Sequence, residues 1–522
     1  MKFAVRLASG VAVGAVFAFA HQAAAQTAPV NNTQIDALQR QIQALQQQVE
    51  ALRSQMTQNQ AQTQAAAQAA AQAQAAAQAN TVAQGTPPAA NAPKVIQTGT
   101  HRFGLSSADG QNTIELTGRL HIDAGSYFNY HPASKATSPQ DLASGVNARR
   151  ARIGIVGKID GDWAYGLIYD FGGSSDTINS ANSGAISSGF ENAYIQYNGF
   201  KPLTIEGGYL DVPFTLDEAT SSNDIMFIER GSSQVLATSV AAGDFRSAFG
   251  GHWNNDRAWA GAYVTGPTSG TAHNIGTLGG GAGQLGMASR ASYQALQSND
   301  YSLHVGVDVS ELFSPPHSGG VRSLTLSDRP ELRIDPTSIL TTGAITNVSG
   351  AGVYGLELAG GYRSLFFQGE YYHYMIDRDN APTANFDGAY VEASWTLTGE
   401  HRRYLPNAGA YSGITPDHPF GITSSGISGY GAFELAARYS YVDLNSNFTS
   451  GLSAASTNGI AGGFQQVYTI GLNWYPNSNI RFMLDYLHGD INKTSASTAT
   501  AALGTPIGAT FDAIALRSQF AF

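Results

Sequence analysis

Residues 513–522 read AIALRSQFAF. Every second residue back from the end gives Phe522, Phe520, Ser518, Leu516 and Ile514, a largely apolar set. The interleaved set is Ala521, Gln519 and Arg517. Successive side chains of a strand point to opposite faces, so this is a strand with two unlike faces. Last residues usually fray. A strand held in register to its final aromatic residue needs a partner, and a closed sheet provides one because it has no free edge.

The same texture runs through residues 99–522. TIELTGRLHIDA (113–124) sets Ile114, Leu116, Leu120 and Ile122 against Glu115, Arg119, His121 and Asp123. RRARIGIVGKI (149–159) sets Ala151, Ile153, Ile155 and Ile159 against Arg150, Arg152 and Lys158. DWAYGLIYDF (162–171), AYVEASWTLT (389–398), FELAARYSYVDL (433–444) and NIRFMLDYLHGD (479–490) repeat the scheme. About sixteen such segments can be placed, an even number as single-chain bacterial barrels require. Tyr127, Trp163, Tyr209, Trp253 and Tyr486 fall near segment ends, as in interfacial aromatic girdles.

A soluble sandwich also alternates, but its outer face meets water with many charges. Here only 13% of the 522 residues are charged, about half the ~25% of soluble domains. Mean hydropathy is −0.15, and Gly numbers 59. No later stretch is long and apolar enough for a spanning helix, so a membrane form must be a barrel.

Residues 1–25 have the form of a Sec-type signal peptide. Lys2 and Arg6 precede an apolar run from Leu7 to Ala20, and Ala23, Ala24 and Ala25 make a small-residue cleavage site. Its removal leaves 26 bases against 38 acids, which argues against nucleic acid as a partner. In residues 31–60, Ile35, Leu38, Ile42, Leu45, Val49, Leu52 and Met56 are spaced three and four apart, the seam of an α-helical coiled coil. β-Branched a positions with Leu at d lean toward a dimer. Residues 61–98 form an Ala/Gln-rich segment and linker, broken by GTPPAANAP (85–93).

The chain has no Cys and no HExxH-type spacing, which excludes a thiolate nucleophile or zinc ribbon. No cofactor or metal is expected. GTLGGGAG (276–283) lies between strands, outside the strand-to-helix context that a phosphate cradle needs.

Several stretches resemble the phosphate-selective porins of the O/P family. They are ARRARIGIVGKIDGDWAYGLIYDFGG, GGYLDVPFTLDEATSSNDIMFIERG, ASWTLTGEHRRY, FELAARYSYVDL, GLNWYPNSNIRFMLDYLHGD and the terminal Phe522. The resemblance implies a sixteen-stranded channel in the bacterial outer membrane. It further implies a homotrimer in outer-membrane lipid, an inward-folded loop, basic residues that guide anions, and Phe522 read by the barrel-assembly machinery. The coiled coil would assemble protomers or reach toward peptidoglycan.

The polar parity offers Arg119, Arg150, Arg152, Lys158, Arg329, Arg333, Arg438, Arg481 and Arg517 as pore-lining bases. Glu115, Asp123, Asp170, Asp308, Glu331, Glu357, Glu370, Glu392, Glu434 and Asp485 nearly cancel them. Arg329 and Arg333 read as one strand face in SDRPELRID (327–335). Such arginines either bind oxyanions through their planar fork or pair with acids across strands. The constriction is expected in residues 211–244, where Ile225, Met226, Phe227 and Ile228 make a poor solvent-exposed run. Arg230 lies within it and Arg246 just beyond.

The expected fold is therefore all-β, a transmembrane antiparallel β-barrel of about 16 strands preceded by an N-terminal coiled coil. The expected function is passive diffusion of small hydrophilic solutes, phosphate and other anions foremost, without enzymatic activity. The rivals are a general or cation-leaning pore and a barrel that chiefly anchors a periplasmic coil.

Overall fold

The computed structural model describes residue 50 and residues 92–522 except 99–101, 135–140, 173–188, 269–282, 299, 319, 425 and 500. The expected signal peptide, the expected coiled coil apart from Glu50, and residues 61–91 of the Ala/Gln-rich segment lie outside the described residues. Strand structure is present from Lys94: the hairpin Lys94–Thr98 and Arg102–Ser106 lies against the first barrel strand, with Gly104 opposite Glu115.

The barrel strands are β1 Thr113–Pro132, β2 Gly145–Ile159, β3 Trp163–Asp170, β4 Gly189–Tyr197 and β5 Leu203–Val212. There follow β6 Gly243–Asn254, β7 Ala258–Thr268, β8 Leu285–Gln297, β9 Tyr301–Ser314, β10 Val348–Tyr362 and β11 Leu365–Arg378. The last are β12 Ala384–Thr396, β13 Ala432–Ser446, β14 Ile460–Tyr475, β15 Ile480–Asn492 and β16 Ala509–Ala521. Each pairs antiparallel with the next, and β16 returns to β1, with Arg517 opposite Asp123 and Phe520 opposite Leu120.

The opening stretch behaves as its parity requires. Ile514, Leu516 and Phe520 are 43%, 52% and 46% exposed on the outer wall, while Arg517 is 1% exposed inside. The terminal residue is paired too. Phe522 N–H donates to the Gly118 carbonyl at 3.0 Å, and Gly118 N–H donates to the Phe522 carbonyl at 3.1 Å. A Cβ on Gly118 would lie 2.6 Å from the Phe522 ring. Gly118→Val should therefore displace the terminal ring and cost about 1–3 kcal/mol. Urea unfolding of the refolded barrel in detergent measures this; an unchanged midpoint would remove the seam from the account.

One barrel end has short turns at 160–162, 198–202, 255–257, 298–300, 363–364 and 476–479. The other carries the longer loops. Trp163, Tyr197, Phe200, Trp253, Trp395, Trp474, Phe482 and Phe520 gather near the short-turn end. Their ring contacts include Trp163–Tyr197 at 4.7 Å and Trp474–Phe482 at 5.5 Å. Tyr127 departs from the girdle expectation. It is buried, and its hydroxyl donates to the Leu332 carbonyl inside the barrel.

Among the described residues, three long chain excursions occupy the interior. Residues 213–242, between β5 and β6, carry helices α1 Leu216–Ala219 and α2 Ser232–Ala241. Residues 315–347, between β9 and β10, bury Leu326, Leu332, Leu340 and Ile345. Residues 397–431, between β12 and β13, enter from the short-turn end and bury Arg402, Ala410, Tyr411 and Ile414. The last interrupts an otherwise uniform set of tight turns.

Candidate functional site

Polar groups inside a barrel must find partners, because no bulk solvent reaches most of them. Much of that capacity is directed at loop 213–242. Glu370 accepts the backbone N–H groups of Leu216 at 2.7 Å and Asp217 at 3.1 Å, and Asp308 accepts that of Thr215 at 3.1 Å. The Thr215 hydroxyl caps α1 by accepting Glu218 N–H at 3.1 Å. Asp485 accepts Ile228 N–H at 2.8 Å, and Asn473 donates to the Met226 carbonyl at 2.9 Å. Arg481 donates to the carbonyls of Asn223 and Ile225, at 3.1 and 2.7 Å. Ile225, Met226, Phe227 and Ile228 are all buried, as their apolar run demands.

The same loop also receives charge from β2, β16 and loop 315–347. Glu229 Oε1 accepts from Arg149 Nε at 2.7 Å and from Arg517 Nη2 at 3.1 Å, and Arg333 Nε lies 3.7 Å from Oε2. Burial alone would raise the Glu229 pKa. The guanidiniums of Arg149, Arg517, Arg150 and Arg333 outweigh it and hold the carboxyl well below its ordinary value of 4.5. A depressed carboxyl stabilises the fold above its unfolded pKa and loses that contribution as pH falls through the folded value. The bridge should therefore outlast ordinary carboxylates in acid. Single-channel conductance recorded from pH 6 down to pH 4 checks this (about the ordinary Glu value); a step near 4.5 that Glu229→Gln abolishes would contradict it.

The bases expected to line the pore separate into groups. Arg152 pairs with Asp170 at 2.8 Å and also bonds Glu191. Arg517 forks onto Asp123, with both bonds at 2.7 Å. Arg438 binds Glu331 at 2.7 Å and donates to the Glu229 carbonyl at 2.8 Å. Arg230 stays within its own loop, 3.4 Å from Glu218 and 3.8 Å from Asp217. Arg246 donates to the carbonyls of Ala242, Ser239 and Gly266, securing the exit of α2. Arg119 bonds Ser221 at 3.3 Å and also Ser222. Lys158 is exposed at the short-turn rim.

Arg329 and Arg333 correct the sequence reading. They lie on loop 315–347, not on a strand face: within residues 327–335 only Ser327–Asp328 is extended. Pro330 removes a backbone donor and Glu331 has φ 54°, which breaks the alternation. Arg333 reaches Asp328 at 3.2 Å.

Sequence parity missed three arginines. Arg290 on β8 is buried and forks onto Glu357 at 2.6 and 3.0 Å. Its inward neighbours Ala288, Ser292 and Gln294 have period two but little apolar contrast. Arg402 belongs to the 397–431 excursion. Arg149 shares the parity of Ala151 and Ile153, but the ladder passes from His121–Arg150 to Ile122–Ala148. That bulge leaves no β1 residue opposite Arg149 and turns its side chain inward to Glu229.

Arg150 differs from the rest. It is buried, its Nε and Nη1 have no hydrogen-bond partner, and no carboxylate lies within ion-pair distance among the described residues. Arg149, Arg152, Arg517 and Glu229 form its electrostatic surroundings. Opposite it on β1, His121 bonds Asn223 through Nε2 at 3.0 Å and leaves Nδ1 without a partner. A buried guanidinium with unused donors is a site for an oxyanion acceptor.

Residues 114–522 match the family model of the phosphate-selective porins O and P. The chain belongs to this family. Porin O of Pseudomonas aeruginosa is 24% identical over 406 residues, spanning 74% of this chain and 85% of that protein. An uncharacterised protein of Caulobacter vibrioides is 25% identical over 77% of this chain and 73% of its own. Among solved structures, an anion-selective porin from Comamonas acidovorans aligns at 13% identity and TM-score 0.46, covering 79% of this chain and all of that one. OmpT of Vibrio cholerae aligns at 11% identity and TM-score 0.47, covering 82% and all of it. The closed barrel here rests on its own strand register.

The protein is a porin of the bacterial outer membrane, a channel for small solutes. Its short-turn end is accordingly periplasmic and its long-loop end extracellular.

Proposed function

We propose that the porin passes small anions, phosphate foremost, and that Arg150 selects them. The observation that carries this reading is the unpaired guanidinium. Buried Arg152, Arg230, Arg246, Arg290, Arg402, Arg438, Arg481 and Arg517 have carboxylate or carbonyl partners, whereas an oxyanion would provide what Arg150 lacks. Arg149, Arg152 and Arg517 keep the surroundings positive although each also holds an acid. Arg246, Arg333, Arg438 and Arg481 serve to hold loops, and Arg230 to brace one internally.

A general or cation-leaning pore draws support from the many lumen acids. Those acids are largely occupied: Asp308, Glu370 and Asp485 hold loop backbone, and Glu331, Glu357 and Glu434 hold arginines. The test is the reversal potential across a planar bilayer in a KCl gradient. We expect its sign to report anion preference, and added phosphate to lower the chloride current. Cation preference would overturn the proposal.

A homotrimer, recognition of Phe522 by the barrel-assembly machinery and a peptidoglycan contact through residues 31–60 stay with this proposal, resting on the resemblance. Deleting residues 26–92 separates channel from tether. A porin conducts before and after the deletion, whereas a pure tether shows no open channel in either form.

A further inference from the structure

The excursion 397–431 does more than enter the lumen. Its second half, 418–431, comes back out and lies against the barrel's outer rim at the periplasmic end. There Gly421–Thr423 and Gly426–Gly429 pair as a small hairpin. From Phe420 to Gly431 the sequence FGITSSGISGYG holds no charge. Its apolar side chains are unusually bare: Ile422 is 75% exposed, Ile427 57% and Tyr430 66%. In water such a patch would be a liability.

The hairpin is fixed to a surface whose environment is already established. Phe420 sits edge-on to Trp474, centroids 5.5 Å apart, and Trp474 stacks on Phe433 and Phe482 in the outward aromatic girdle. Trp474 Nε1 donates to the Tyr430 carbonyl at 2.8 Å, and Phe420 N–H donates to the Pro476 carbonyl at 2.7 Å. The bare isoleucines therefore continue the lipid-facing belt beyond the ends of β13 and β14. Beneath them Ile414, Ala432 and Tyr475 form a buried cluster that leads back to the lumen segment.

We propose that residues 418–431 are a membrane-interface anchor, seated among the glycerophospholipids of the periplasmic leaflet, that holds the lumen segment 402–417 from outside. Apolar and aromatic side chains without charge favour the headgroup–acyl boundary. Continuity with the girdle favours lipid over peptidoglycan, which offers no apolar surface, and over a second copy.

The chain has no Cys, so single probes are clean. Ile422→Cys and Ile427→Cys, each in the full-length protein, are labelled with bimane and reconstituted in phosphatidylethanolamine/phosphatidylglycerol vesicles with brominated acyl chains. Leu472→Cys on the outer wall and Asn255→Cys in a periplasmic turn are the lipid and water references. We expect bromolipid to quench both hairpin probes several-fold more than the Asn255 probe, with iodide showing the reverse order. Quenching equal to that at Asn255 would overturn the anchor. Protection from both quenchers that vanishes when oligomers dissociate would assign the surface to a second copy and overturn it equally. The two probes are independent, so one variant that fails to fold leaves the other to decide.

Discussion

Arg150→Ala should abolish most of the pore's preference for phosphate while leaving the barrel as stable as before. A hydrogen bond to a charged group contributes about 1.5–3 kcal/mol. Losing the donor fork proposed to bind solute should weaken phosphate block of the chloride current roughly 10- to 100-fold. The stability half of the expectation is equally specific. Arg150 holds no carboxylate among the described residues, so its removal strands none. Removing a like charge from beside Arg149, Arg152 and Arg517 relieves repulsion as well. Arg517→Ala is the contrasting variant. It leaves Asp123 buried without its arginine and takes one of three arginines from Glu229, which keeps Arg149 and Arg333; the stranded Asp123 costs about 3–5 kcal/mol. Phosphate titration of single-channel current and urea midpoints in detergent give the two readouts. Phosphate block unchanged in Arg150→Ala would end the assignment, whatever the midpoint.

That contrast also marks what the sequence could convey. Alternation placed Arg150, Arg152, Arg438, Arg481 and Arg517 inside and Ile514, Leu516 and Phe520 outside, because a face follows from period two while the register holds. It also located the inward loop, since Ile225–Ile228 had nowhere else to go. It failed where the register breaks. One bulged residue reversed the face of Arg149, and a proline followed by a left-handed residue took Arg329 and Arg333 off the wall. Tyr127 was misread because its partner, the Leu332 carbonyl, lies some two hundred residues away on a loop. Most important, nothing in the strand pattern says which arginine is left over. That depends on which loop carbonyls and carboxylates arrive, and loop 213–242 alone engages Arg149, Arg438, Arg481 and Arg517.

The 397–431 excursion was the least legible feature, and breaking its main clasp should enlarge the pore. Arg402 Nη2 donates to both oxygens of Glu434, at 2.9 and 3.0 Å, and Nε adds a third bond at 3.1 Å. Its Nη1 reaches across to the Asp224 carbonyl at 2.6 Å, so one side chain ties the periplasmic excursion to the extracellular-side loop. Arg402→Ala should cost about 3–5 kcal/mol, because Glu434 is left buried and charged. Tyr475 and Asn473, at 2.6 and 3.2 Å, would remain its partners. The segment keeps its bonds from Arg290 to the Ala408 and Gly409 carbonyls and from Trp259 to that of Asn407, so it should loosen rather than leave. Single-channel conductance should rise and become noisier, while anion preference persists because Arg150 is untouched. Adding Glu434→Gln removes the stranded charge, so the double variant should regain stability without regaining the wild-type conductance. That separation distinguishes a clasp on the lumen segment from a purely structural ion pair. Conductance identical to wild type in both variants would mean that the excursion does not limit the pore.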